Sequence, residues 1–259
     1  MELFDSHAHY DDEKFDEDRD EIIRKIYESG VTKLVSAGYS LESSKRGLEL
    51  ANKYEFIYTT CGISPNDIPE TREEIEEQLA EVEKIAAENS KIVAIGEIGL
   101  DYYWNKDNKE IQLEVFKRQI EIANRLNLPI QIHTRDAIMD TIDIINSTEF
   151  VKPGIFHCCP QNADLIKAGL KKDFYISFAG PITFKNSKNA DSMIELVPLD
   201  HQLIETDSPY LSPEPNRGKR NDSRNVKYVA EKIANVKNIN IEIVAKTTYE
   251  NAKKVFNIE

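Results

Sequence analysis

Short apolar runs and longer amphipathic stretches alternate along the whole chain. Strand-like runs fall at 3–5, 33–37, 56–61, 92–96, 130–133, 154–157, 174–178 and 202–206. Between them the pattern predicts helices over roughly 16–29, 41–53, 71–88, 108–126, 136–147, 161–170, 186–196 and 223–236, with a last one near 241–256. Within 108–126, for instance, Ile111, Val115, Ile120, Ala123 and Leu126 recur at helical spacing, and Pro129 marks the entry to the next strand.

Strands alternating with helices predict a parallel sheet, because each return to the same sheet edge needs a crossover. Eight such repeats in 259 residues match the size of a closed (β/α)8 TIM barrel. A doubly wound open sheet is the competing architecture. It would normally carry a phosphate loop at its first βα turn, and Ser6-His7-Ala8-His9 has no glycine there. No Gly/Ser run or charge block reads as a linker, so residues 1–259 are expected to form a single barrel domain.

Composition narrows the setting. Hydrophobic residues make up 40% of the chain and mean hydropathy is −0.51. No apolar run reaches the roughly 18 residues of a membrane span. The acidic N-terminus has neither the basic start nor the apolar stretch of a secretory signal. Cys158 and Cys159 are adjacent and Cys61 is distant, which is not a disulfide framework. The expectation is a protein of the reducing cytoplasm, with no membrane and no obligate protein partner. The net charge of −13 disfavours a broad grip on a nucleic-acid backbone. It leaves room for a polyanion bound locally, because bound divalent cations reverse the charge of a pocket whatever the surface average.

The placement of potential metal ligands carries the chemistry. His7 and His9 follow the first strand-like run, Glu97 follows KIVAIG, His133 follows LPIQI, His157 follows PGIF, and Asp207 follows QLIET. Each has an ordinary reading by itself: a solvated turn, a helix cap, a satisfied core histidine. Together they occupy the C-terminal ends of strands, which in a barrel converge on one mouth. His201 precedes its strand and is expected at the opposite end, as a structural or surface residue. Four imidazoles and two carboxylates suit Zn²⁺ or Mn²⁺, and Mg²⁺ less well. Six ligands exceed one tetrahedral ion and fit a centre of two divalent ions, with Glu97 the natural bridge.

DSHAHYDD (5–12), GEIGLDYY (96–103), PIQIHTRDA (129–137) and ETDSPYL (205–211) resemble the signature blocks of the TatD-type metal-dependent deoxyribonucleases. PNRGKRN (215–221) is similar to that family's arginine-glycine-lysine loop. The resemblance implies a TIM-barrel metallohydrolase of the amidohydrolase superfamily. It implies His7, His9 and Asp207 on one ion, His133 and His157 on the second, and Glu97 between them. After strand three the family commonly has a Gly-x-His-Pro-His block, whereas here Ser64 and Asn66 stand at the histidine positions. Neither can act as a cationic imidazole, although both can hydrogen-bond a substrate. The family's Cys-Phe-Ser/Thr-Gly turn is replaced by Cys158-Cys159-Pro160-Gln161.

The expected activity is a 3′–5′ exonuclease on single-stranded or frayed DNA. Asp207 is the candidate general base, Glu97 fixes the ions, and Glu205 orients a ligand histidine. Arg135 is a candidate phosphate contact through its planar fork. Arg217, Lys219 and Arg220 form a basic loop with the alternative reading of a solvated charge run. Tyr102, Tyr103 and Trp104 either stack a terminal base or pack the loop. One rival activity is amide or ester hydrolysis, such as release of an aminoacyl group from tRNA. Amide-cleaving relatives often bridge their metals through a carboxylated lysine on strand four, and here that strand carries Glu97, with Lys91 at its start. The other rival is a metal-binding protein without turnover.

Overall fold

A computed structural model describes residues 1–259. Eight parallel strands pair in sequence order: β1 (Leu3–Ala8), β2 (Val31–Ser36), β3 (Ile57–Cys61), β4 (Ile92–Asp101), β5 (Ile130–Arg135), β6 (Ile155–Phe156), β7 (Tyr175–Phe178) and β8 (Gln202–Ile204). The helices between and after them are α1 (Arg19–Glu28), α2 (Leu41–Lys53), α3 (Arg72–Glu88), α4 (Lys109–Leu126), α5 (Ile138–Ser147), α6 (Ala163–Lys171), α7 (Ala190–Leu196), α8 (Val226–Lys237) and α9 (Ile241–Phe256). Between β8 and β1 the ring is drawn together by other bonds. The Asp207 amide donates to the His7 carbonyl at 2.9 Å, and the Ser6 hydroxyl to the Ile204 carbonyl at 3.0 Å. The architecture is a (β/α)8 barrel. No helix is long and apolar enough to cross a membrane.

Local chemistry explains where the helices start. Thr71 and Glu74 form a reciprocal capping box on α3, and Asn162 accepts from two amides of α6. Asn127, Asn238 and Asn257 close α4, α8 and α9 in the left-handed conformation that asparagine tolerates.

Packing leaves one end of the barrel free for chemistry. A cluster of 53 buried apolar residues fills the space between strands and helices. A second cluster includes Phe4, Val35, Ile155, Tyr175 and Leu203 from five strands, joined by Val255 and Phe256 of α9. Phe256 stacks on Phe4 with ring centroids 6.0 Å apart. The last helix therefore closes the N-terminal mouth, and the buried histidines and carboxylates His7, His9, Glu97, Asp101, His157 and Glu205 lie toward the other.

Two strands are longer than their apolar runs. β1 extends through His7 to Ala8, and β4 continues through Glu97 to Asp101. Glu97 therefore lies inside its strand rather than beyond its end, correcting the expectation from sequence. The glycines that look like terminators in GEIGLD are what let β4 continue. At Gly99, with φ +140°, a Cβ would lie 2.0 Å from the His133 carbonyl oxygen, so only glycine permits pairing with β5 there.

Candidate metal centre

The ligands lie on or just after β1, β4, β5, β6 and β8, each held for a local reason. β1 brings His7 and His9 together, with their Nε2 atoms 3.1 Å apart. The other nitrogen of each ring is occupied. His9 Nδ1 faces the Ala37 carbonyl at 3.0 Å, and a carbonyl can only accept, so Nδ1 carries the proton. His7 Nδ1 faces Gln131 Oε1 at 2.9 Å, while the Gln131 amide nitrogen donates to the Ser6 carbonyl at 2.9 Å. That amide orientation makes Oε1 the acceptor. When both rings are neutral, their Nε2 atoms therefore present lone pairs to each other across 3.1 Å. Two acceptors at that distance repel unless a cation lies between them.

Carboxylates complete the corner. Asp207 Oδ1 lies 3.2 Å from His9 Nε2 and 3.6 Å from His7 Nε2. Glu97 Oε2 lies 3.5 and 3.8 Å from the same two nitrogens. Its other oxygen, Oε1, lies 3.0 Å from His133 Nδ1 and 3.4 Å from His157 Nε2, and those two nitrogens are 3.2 Å apart. Glu97 thus has one oxygen in each of two ligand clusters. His133 uses Nδ1 toward the cluster because Asp101 Oδ2 holds its Nε2 at 2.9 Å. His157 is held in the same way by Glu205 Oε1, 3.3 Å from its Nδ1, and that oxygen also accepts the Cys158 amide at 2.8 Å. His7 stacks on His157 at 3.9 Å between ring centroids, which packs the two clusters against each other. The donor set, with nitrogen and carboxylate lone pairs converging and outer partners fixing each tautomer, fits divalent ions.

Without a cation among them, His9, His133 and His157 take up protons instead. Burial opposes a charge on each, but Asp207 raises the His9 pKa to about 9, Asp101 and Glu97 raise that of His133, and Glu97 and Glu205 raise that of His157. Burial alone would raise the Glu97 pKa, but His157 and His133 hold it well below the usual carboxylate range. Asp207 is likewise opposed by burial and held low by His9. Burial pushes Glu205 up, against the lowering effect of His157. Both cluster carboxylates are therefore ionised at neutral pH.

A cavity of about 690 Å³ opens over the clusters, with Tyr39, Asn66, Trp104, Arg135, Tyr210 and Leu211 in its walls. Arg135 stands at this mouth with its guanidinium 3.7 Å above the Tyr103 ring. Asn66 also lines it and donates to Asp101 Oδ2 at 3.2 Å. Ser64 lines the cavity, but its hydroxyl donates to Asp67 Oδ2 at 2.6 Å, leaving it no free donor for a substrate. Tyr102 does not face the cavity. It is buried, its hydroxyl donates to Asp140 at 2.7 Å, and the Lys109 ammonium sits 4.1 Å over its ring. The turn after Asp101 points Tyr102 inward and Tyr103 and Trp104 outward. Arg217, 3.5 Å over the Phe184 ring, and Lys219 lie on the outer rim. Arg220 is ion-paired to Asp18 and covers Phe15, which ties this loop to the start of α1.

His201 sits in the 3-10 turn before β8, facing Asp173 and Asp200 at 2.8 and 3.0 Å, away from the clusters. Lys91 is also at the far end, donating to the Glu55 and Ile57 carbonyls, so it is no bridge between ions. Sequence reasoning gave no role to Asp101 or Gln131. The available signals were a carboxylate closing the GEIGLD run and a lone amide inside the apolar LPIQI strand.

Comparison with known proteins points the same way. A family model described as TatD related DNase matches residues 4–257. YabD of Bacillus subtilis, called an uncharacterized metal-dependent hydrolase, is 44% identical over 258 residues, covering 99% of each chain. YcfH of Escherichia coli, given the same description, is 34% identical over 263 residues, covering 100% of this chain and 97% of its own. Among solved structures, the TatD homolog YjjV of Escherichia coli superposes with a TM-score of 0.92 at 23% identity, covering 99% of this chain and 98% of that one.

Proposed function

Because this chain belongs to the family of TatD-related DNases and is a metal-dependent hydrolase, we propose that it cleaves phosphodiesters of DNA, as a 3′–5′ exonuclease on single-stranded or frayed ends. The observation that carries the reading is Glu97, with one carboxylate oxygen within 3.5 Å of His7 and the other within 3.0 Å of His133. His7, His9 and Asp207 would hold one divalent ion and His133 and His157 the second, with Glu97 shared. When bound, such ions supply Lewis acidity, lowering the pKa of water and neutralising charge on phosphoryl oxygens.

The chain's own residues do the rest. Asp207, kept ionised by His9, accepts the proton of the attacking water. Asp101 and Glu205 keep the lone pairs of His133 and His157 turned inward. Arg135, at the cavity wall, offers two parallel N–H donors to non-bridging phosphate oxygens. Asn66 holds Asp101 from the far side and keeps one amide N–H for the substrate. The native ion is Zn²⁺, Mn²⁺ or Mg²⁺, with availability deciding among them.

The test is cleavage of a 3′-labelled single strand with Mg²⁺, Mn²⁺ or Zn²⁺, beside a circular strand and an aminoacyl-tRNA. The reading expects release of the labelled 3′ nucleotide as a mononucleotide from the linear strand, with the circle left intact and no aminoacyl release. A circle cut as fast as the linear strand would remove the exonuclease element. Aminoacyl release without strand cleavage would replace the nuclease with an ester hydrolase.

A further inference from the structure

The mouth of the barrel is divided by charge. On the side of β3 and β4, a groove of about 1090 Å³ adjoins the metal cavity, and Asn66 and Trp104 line both. Its floor and walls are apolar at Pro65, Ile68 and Ile111, and amide-bearing at Asn105 and Asn108. Its charges are Glu70, Asp107 and Glu110 against Lys109, whose ammonium is engaged over Tyr102. Trp104 is 68% exposed at the boundary between the two spaces.

The side of β7 and β8 has the opposite character. Leu211 lines the metal cavity, and its carbonyl lies so near Gly180 that a Cβ there would be 1.9 Å away. The Glu214 amide donates to Thr183 at 2.9 Å, and the Arg217 guanidinium lies 3.5 Å over Phe184. The two loops are therefore locked into one surface, which exposes Lys185, Lys188, Arg217 and Lys219. Of the three cations in the 215–221 loop, Arg220 is the one tied up in an ion pair.

From this we infer that a nucleic-acid strand crosses the β7–β8 loops and ends in the groove, where its terminal base stacks on Trp104. The inference rests on the phosphodiesterase reading above and adds the direction of the strand and the group that recognises its end. A polyanion is drawn to the exposed lysines and arginine and repelled by the three groove acids. A nucleobase carries no charge, has a face for the indole, and has edges for the asparagine amides. A continuing backbone would have to pass the acids, so the groove takes an end rather than the middle of a chain.

The test compares strands that carry either a normal or an abasic nucleotide at the end the wild type degrades. Trp104→Ala should lower kcat/KM on the base-bearing end by about 5- to 100-fold, the range for loss of one base–aromatic stack. It should also collapse the preference for base-bearing over abasic ends, and Trp104→Phe should restore most of both. The exposure of Trp104 keeps folding out of the comparison. Reversing charge with Lys185→Glu and Arg217→Glu together should raise KM for a long strand well beyond its effect on a dinucleotide. A preference that survives Trp104→Ala, or a reversal that moves the dinucleotide as much as the long strand, overturns this inference alone. A wild type that cleaves neither strands nor bis(p-nitrophenyl) phosphate under any of the three metals overturns the phosphodiesterase reading and this one with it.

Discussion

Replacing Asp101 with asparagine keeps the shape of the side chain but exchanges one charged acceptor oxygen for a neutral amide donor. Asp101 Oδ1 accepts the Tyr103 and Trp104 amides at 2.9 and 3.2 Å, bonds that an asparagine oxygen keeps. The other oxygen, Oδ2, accepts from His133 Nε2 at 2.9 Å and from Asn66 at 3.2 Å. An amide nitrogen at that place can only donate, so His133 must move its proton to Nδ1. Nδ1 is the atom 3.0 Å from Glu97 Oε1, so the lone pair offered to a cation is lost from the second cluster. Loss of an outer partner of a ligand histidine typically weakens metal binding about 10–100-fold, or roughly 1.4–2.7 kcal/mol. Titrating Mn²⁺ into metal-free protein by calorimetry, beside activity measured against Mn²⁺ concentration, reads this directly. Asp101→Asn should need about 10–100-fold more Mn²⁺ for half-maximal activity and recover most of its kcat at saturation. Unchanged Mn²⁺ affinity with reduced activity would refute the tautomer argument and make Asp101 a substrate contact instead.

Further outcomes follow from the same geometry. Asp207→Asn should remain folded by circular dichroism yet lose about 10²–10⁴-fold in kcat, the usual span for a missing general base. Tyr102→Phe should cost about 0.5–1.5 kcal/mol in urea unfolding through the lost bond to Asp140, with KM for DNA unmoved. His201 is pulled down by burial, but hydrogen bonds to Asp173 and Asp200 outweigh it and raise its pKa. Its contribution to stability is therefore full below an unfolded pKa of about 6.5 and lost as pH rises through the folded value. Urea unfolding of the wild type against His201→Gln should differ most at low pH and converge at high pH.

Much of this architecture is legible in the chain because strand ends and ligands coincide. Each ligand follows a run such as LPIQI or QLIET, and such runs converge in a barrel. Features set by neighbouring strands were harder to read. Nothing local says that GEIGLD continues β4, since its glycines look like terminators until the approach of the His133 carbonyl is known. The role of Asp101 depended on that continuation. Tyr102 and Trp104 are alike in sequence, and only the turn between them sends one inward and the other to the mouth. Gln131 was hidden because its partners, His7 and Ser6, lie on a strand more than a hundred residues away. The net charge of −13 concealed the division of the mouth into a basic and an acidic side, because a sum over the chain carries no position.

The central claim is a two-ion centre organised around Glu97. Anomalous diffraction from crystals grown with Mn²⁺ measures it without reference to any substrate. The account predicts two peaks about 3.5–4 Å apart, flanking the Glu97 carboxylate, one among His7, His9 and Asp207 and the other beside His133 and His157. A single peak, or peaks remote from Glu97, would contradict it.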